Sequence, residues 1–217
     1  MDKYVNRTAA GQILVKELTE YVNRNNVIVL ALPRGGVPVA FEIAKKLRAP
    51  LDVFIVRKLG VPQHKELAMG AIAIGDTSVF NDEIITEYKI PIHAIQAVMK
   101  EEKKELQRRE QAYRGDTPFP VLKNKIIILV DDGIATGASM RAAIKALKTF
   151  MPAKIIIAVP VAEKRMCENM RLLVDDLICP MRPAFFNAVG AWYEDFSQTE
   201  DEEVYTLLKK ARELPKE

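Results

Sequence analysis

A chain of 217 residues with 49% hydrophobic and 28% charged residues can bury a sizeable core without disulfide or metal staples. A net charge of +3 is too small to point to a nucleic-acid partner, and a local positive field over a small anion is compatible with it. Two cysteines, Cys167 and Cys179, have the spacing of neither a redox pair nor a zinc knuckle and read as reduced thiols. No apolar run follows the charges of MDKYVNRTAAGQ, and no stretch of about 18 apolar residues occurs, so a cytoplasmic protein with no membrane partner is expected.

In chain order, the pattern predicts a helix over Thr8–Asn23, a buried strand over Val27–Leu32, a helix over Val37–Leu47 and a strand over Leu51–Val56. The stretch of about 60–124 breaks this rhythm. Met69–Ile74 and Ser78–Phe80 read as a strand pair turning at Gly75–Asp76, followed by a long charged helix from about Pro91 to Arg114. The rhythm returns with strands at Lys125–Val130, Ala153–Val159 and Leu173–Ile178, and helices at Ser139–Phe150 and Glu163–Leu172. The tail of about 180–217 opens with irregular aromatics and closes in a short helix. Short strands alternating with helices predict one α/β domain over 1–217: a parallel sheet flanked by helices, with a helical and hairpin insertion and a small C-terminal hood. Ligands of such sheets lie beyond the carboxyl ends of the strands, so the loops after Leu32, Val56 and Val130 are the places to look.

The segment Ile126–Met140, IIILVDDGIATGASM, carries the functional inference. Five apolar residues require a mid-sheet strand, which leaves Asp131 and Asp132 at its carboxyl end. Adjacent acids are costly to bury unless donors or positive charge lie between them. The vicinal hydroxyls of a ribose, with a divalent cation nearby, meet that need. Thr136, Gly137, Ala138 and Ser139 then open a helix, whose free N–H groups, together with two hydroxyls, suit a phosphate. A diol site beside a monophosphate site describes a ribose 5-phosphate. Upstream, Pro33-Arg34-Gly35-Gly36 ends the first strand; glycines let backbone amides approach an anion and Arg34 adds a cationic fork, which suits pyrophosphate. Arg57 and Lys58 would reach the same edge if all strands run parallel. The stretch from Gly60 to Leu67 reads as a mobile loop with Lys65 as a candidate cation, and His64 is given no role. A second acid pair, Asp175–Asp176, lacks a Thr-Gly loop and reads as solvated or capping. Neither GxGxxG nor GxxxxGK[ST] occurs, which disfavours dinucleotide and P-loop sites.

The hydrophobic strand, two acids and threonine-glycine loop resemble the motif of the type I phosphoribosyltransferases that binds 5-phosphoribosyl-1-pyrophosphate (PRPP). That resemblance implies that Asp131 and Asp132 contact the ribose hydroxyls and that Ala135–Ser139 hold the 5′-phosphate. It implies that Arg34, Gly35, Gly36 and Lys58 face the pyrophosphate. Mg²⁺ would be the cofactor, held indirectly at Asp131 and Asp132, with PRPP and a nitrogenous base as substrates. Asp131, Asp132 and Arg34 would be the catalytic residues, and a homodimer is expected from the family. The Pro-Arg-Gly-Gly loop resembles the Ser-Arg-Gly-Gly version in bacterial xanthine-guanine phosphoribosyltransferase. Nearly the whole chain resembles a bacterial group of this size that shares Arg7, Ala10 and Gly11 in an N-terminal helix, and an aromatic tail. The tail could stack on a base, anchor the last helix or form a dimer contact. The chain departs from the 6-oxopurine enzymes at Ala135, where they carry an aspartate near the purine, and the last hydroxyl of the loop is Ser139. A PRPP- or nucleotide-sensing module without turnover is the alternative.

Overall fold

The computed structural model describes residues 3–75 and 77–214, apart from the side chains of Lys65 and Glu66. The parallel sheet has the order β2-β1-β6-β7-β8, with β1 at Val27–Ala31, β2 at Leu51–Val53, β6 at Ile126–Val130, β7 at Lys154–Ala158 and β8 at Asp176–Ile178. All of its pairings are parallel. Every residue of β1 and of β6 is buried, as an apolar run in the middle of a two-sided sheet requires. Alternate residues serve opposite faces. Val27, Val29, Ile128 and Val130 join one core with α2 (Gly36–Leu47) and α7 (Asp201–Arg212). Ile28, Leu30, Ile127 and Leu129 join the other with α5 (Ala138–Thr149) and α6 (Lys164–Arg171).

The expected helix over Thr8–Asn23 is shorter: α1 spans Arg7–Leu14 and two single 3₁₀ turns follow. Asn6 caps α1 by accepting the Ala9 N–H at 2.9 Å. Gly11, inside α1, lies where a Cβ would meet the Val39 carbonyl oxygen at 2.7 Å, so α1 and α2 touch at backbone distance. The expected strand Leu173–Ile178 begins only at Asp176; just before it, the Asp175 carboxylate accepts the N–H of Ile155 in β7 at 2.8 Å. Asp176 accepts the Leu177 N–H at 2.7 Å, so one acid of this second pair bonds across to β7 and the other to its own neighbour. Cys167 and Cys179 are free and buried.

The larger difference lies in the insertion. β2 stops at Val53, and Phe54–Ile55 lead the chain off the parallel sheet into a three-stranded antiparallel arm. The arm consists of β3 (Val56–Val61), β4 (His64–Ala73) and β5 (Thr77–Phe80). The stretch expected to be a loop, Gly60–Leu67, is the end of the β3–β4 hairpin, where Val61 pairs with His64 around a turn with Gln63 at φ 71°. A short α3 (Asp82–Glu87) and the long α4 (Ile92–Arg114) complete the arm, and α4 agrees with the charge pattern that predicted it. Asp76, in the expected turn, lies outside the described residues.

A buried ion pair fastens the arm to the sheet. Arg114 Nε, at the end of α4, stands 3.2 Å from Asp52 Oδ1 in β2. Arg114 also pairs with Glu110 at 3.1 Å and donates to the Thr117 carbonyl at 3.0 Å. Burial pushes the Asp52 carboxyl up and the Arg114 charge pulls it back down. Removing the cation leaves a buried acid uncompensated, so Arg114→Met should cost about 3–5 kcal/mol near pH 7. Without Arg114 the folded-state pKa of Asp52 climbs further above its unfolded value, so the folded variant holds a proton that the unfolded chain releases. Its deficit relative to the parent should therefore shrink as pH falls from about 7 toward about 5, measured by chemical denaturation.

Candidate functional site

At the end of β6, Val130 is fully buried and the chain opens into a cleft at Asp131 and Asp132. Asp131 Oδ1 accepts the Asp132 N–H at 2.9 Å. Asp132 Oδ2 accepts from Arg7 Nε at 2.8 Å, and the backbone carbonyl of Asp132 accepts the Tyr193 hydroxyl at 2.6 Å. Desolvation, then the charge of Asp132, pushes the Asp131 carboxyl well above the ordinary carboxylate range. Burial raises Asp132 as well, while the Arg7 guanidinium opposes it. The pair is therefore electrostatically unequal: one acid is matched by a cation and its neighbour is not.

The next turn builds a cavity at the start of α5. Gly137 takes the left-handed conformation at φ 74° and caps α5, whose first residue is Ala138. Ala135, Thr136 and Ser139 are exposed or partly so around Ala138, whose N–H lies 3.4 Å from Thr136 Oγ1. Together with Asp131, Gly133 and Ile134 they line a cavity of about 190 Å³ closed on one side by Val189 of the tail. A Cβ on Gly133 would meet Val189 Cγ1 at 2.6 Å, so glycine is what lets the tail close here. The cavity joins an acid to a helix N-terminus within one loop, and Ala135 leaves its lip without a carboxylate.

The Pro33–Gly36 loop lies directly against the two acids. A Cβ on Gly35 would stand 2.0 Å from Asp132 Oδ2, and one on Gly36 would stand 2.7 Å from the Val130 carbonyl oxygen and 2.9 Å from Asp131 Cα. Both glycines are thus required by the approach of this loop to β6, before any ligand is considered. The Pro33–Arg34 peptide is cis. The Gly36 N–H already donates to the Leu32 carbonyl at 3.1 Å, within the loop itself. Arg34 extends toward the start of α7, where Nη1 lies 3.2 Å from Glu200 and 3.5 Å from Asp201.

The placement of Arg57 and Lys58 on the edge of the parallel sheet is corrected. They lie on β3 in the antiparallel arm, since the chain has already left the parallel sheet at Phe54. Arg57 Nε is held by Glu102 of α4 at 2.6 Å, and Lys58 pairs in register with Ala71. The parallel-edge reason for assigning Lys58 to the anion therefore falls away. The Lys65 side chain lies outside the described residues.

Three neighbours of the acid pair and its cavity were not singled out in the sequence: Arg7, noted only as part of a shared motif; Tyr193; and Val189. Tyr193, Phe196, Phe186 and Trp192 pack with Tyr4, Ala10 and Val161 as a small core of their own, while Phe185 is exposed. The tail is thus anchored by its aromatics and by backbone pairing of Tyr4 with Tyr193. Among the described residues no three or more His, Cys, Asp or Glu side chains gather as a metal-holding group. Two adjacent carboxylates, one already shared with Arg7, are too few for a resident Mg²⁺ but fit one carried in on phosphate oxygens and water. Among the same residues no helix is long and apolar enough to cross a membrane.

Residues 5–183 match the family described as the phosphoribosyl transferase domain. The chain belongs to that family. A Mycobacterium tuberculosis protein provisionally named a phosphoribosyl transferase is 41% identical over 211 residues, which cover 97% of this chain and 47% of that protein. The chain thus spans about half the length of the curated relatives it matches. The crystal structure of the protein TT1426 from Thermus thermophilus is 34% identical, with a TM-score of 0.86 over 96% of this chain and 98% of that one. Within the family the architecture is the type I fold, with its sheet flanked by helices and its strand-end acid pair followed by a Thr-Gly loop.

The contact of Gly35 with Asp132 gives a stability test of this geometry. Gly35→Ala should cost about 1–3 kcal/mol by forcing the carboxylate or the loop aside. Combined with Asp132→Ala, most of that penalty should vanish, so a double-mutant cycle by chemical denaturation should yield a coupling above about 1 kcal/mol.

Proposed function

We propose that the chain binds PRPP with Mg²⁺ and transfers its 5-phosphoribosyl group to a nitrogenous base, releasing pyrophosphate. The observation that carries this reading is the junction of β6 with α5. There an acid pair and a helix-N-terminal cavity of about 190 Å³ adjoin, and the Pro-Arg-Gly-Gly loop packs onto the acids. A ribose diol on Asp131 and Asp132 and a 5′-phosphate on Thr136–Ser139 use both features at once. The pyrophosphate would then lie along the loop that carries Arg34.

In the reaction the bond from ribose C1 to the pyrophosphate oxygen breaks, its electron pair leaving with pyrophosphate. A base nitrogen supplies the pair for the new C1–N bond, and the base releases its N–H proton to solvent. Mg²⁺, when bound, offsets charge on the phosphate oxygens. The chain's own residues act by positioning and by electrostatics. Asp131 and Asp132 orient the ribose and favour the positive charge that builds on C1 and the ring oxygen. Arg34 supports charge gathering on the leaving group, sharing its guanidinium with Glu200 and Asp201 or exchanging them for it. Thr136 and Ser139 hydroxyls and the first amides of α5 hold the 5′-phosphate. Ala135 offers no carboxylate to an acceptor ring, which weighs against hypoxanthine and guanine and leaves other bases open.

Pyrophosphate release from PRPP, followed across a panel of nucleobases with Mg²⁺ and with EDTA, tests the proposal. Turnover on at least one base, abolished by EDTA, is expected. Saturable PRPP binding with no turnover on any base would favour a sensing module instead. Asp131→Asn combined with Asp132→Asn should lower PRPP affinity by at least about 100-fold, which is about 2.7 kcal/mol, measured by calorimetry. Undiminished affinity in that double variant would remove the acid pair from the site.

A further inference from the structure

Arg7, Ala10 and Gly11 form a motif that the β6–α5 junction does not by itself explain. Close packing accounts for the two small residues. Ala10 is fully buried against the Tyr4, Val161 and Tyr193 cluster, and Gly11 faces the Val39 carbonyl at a distance that admits no side chain. Small residues at these two positions let the first turn of α1 approach the end of β6. Arg7 stands in that first turn, where the positive end of a helix disfavours a cation, so a specific partner must compensate.

Three groups hold the Arg7 guanidinium. Nε meets Asp132 Oδ2 at 2.8 Å, Nη1 donates to the Ser197 carbonyl at 2.7 Å, and Cζ lies 3.9 Å from the centre of the Phe196 ring. The Arg7 and Asp132 side chains are only 11% and 13% exposed. A planar guanidinium held along one edge, at one tip and on one face has a single orientation, which a lysine ammonium would not share. Resting on the donor reading above, we propose that Arg7 is a positioning residue of the donor site. It fixes the Asp132 carboxylate for the ribose hydroxyls and ties residues 196–197 of the tail to that same carboxylate. The ribose end of the site and the tail thus share one cation, while the pyrophosphate loop has its own in Arg34.

Two ligands separate this role from general stabilisation, because inorganic pyrophosphate carries no ribose. With Mg²⁺ present, Arg7→Met should weaken PRPP binding at least about tenfold by calorimetry and leave inorganic pyrophosphate binding within about twofold of the parent. Arg7→Lys, which keeps a cation beside Asp132 but not the planar fork, should stay within about threefold of the Arg7→Met loss, since the fixed orientation is what positions the carboxylate. Arg7→Gln, measured alongside, preserves the test if the methionine variant does not fold, and it too should lose PRPP selectively. Equal losses for both ligands, unchanged PRPP affinity in Arg7→Met and Arg7→Gln, or full recovery in Arg7→Lys would each overturn the inference. A parent protein that binds pyrophosphate but not PRPP would instead overturn the donor reading on which it rests.

Discussion

Two carboxylates in succession at the end of a buried strand impose the constraint around which the rest of the site is organised. Val130 cannot face water, so Asp131 and Asp132 emerge together at the sheet edge with little solvent to share. Burial and mutual repulsion penalise that arrangement, and the structure answers it unevenly. Asp132 receives the Arg7 guanidinium, and its backbone carbonyl receives the Tyr193 hydroxyl. Asp131 receives one backbone N–H. The unmatched acid lines the cavity, so its unmet electrostatic demand faces that cavity.

Much of the surrounding fold follows from bringing other chain segments to these two residues. The glycines at 35 and 36 remove side chains that would strike Asp132 and the β6 backbone, and Gly11 lets α1 descend far enough to deliver Arg7. Val189 closes over Gly133, so the tail seals one wall of the cavity at the start of α5 without using its aromatics as a lid. Asp201 accepts from the Tyr113 hydroxyl at 2.7 Å and pairs with Arg108 at 3.3 Å, as well as lying near Arg34. The long helix of the arm and the Pro33–Gly36 loop therefore meet at one carboxylate, which links the insertion to the acid pair through α7.

The parallel sheet was legible in the sequence because its strands are buried on both faces and leave an uninterrupted apolar signature, as in Ile126–Val130. The acid pair and the threonine-glycine turn were legible because their chemistry and their order coincide in one contiguous segment. Arg57 and Lys58 were misplaced because a strand that leaves one sheet for another keeps its apolar pattern; the exit at Phe54 is written in tertiary pairing, not in periodicity. The end of the β3–β4 hairpin looked like a loop because Gly60, Pro62 and Gln63 are turn residues, whereas its pairing is set by residues on both strands. Arg7 was hidden by distance, since 125 positions separate it from Asp132. The only local signal was a small-residue pair three positions downstream of an arginine in a first turn.

Membership of the phosphoribosyl transferase domain family places a sugar-phosphate donor in view, and the geometry proposes where each part of it lies. A crystal structure with PRPP and Mg²⁺ tests that placement most directly. The 5′-phosphate should occupy the Thr136–Ser139 turn, the ribose hydroxyls should contact Asp131 and Asp132, and the pyrophosphate should lie along Arg34 and Gly35. A complex with PRPP bound elsewhere, or with its ribose out of reach of both acids, would contradict the assignment.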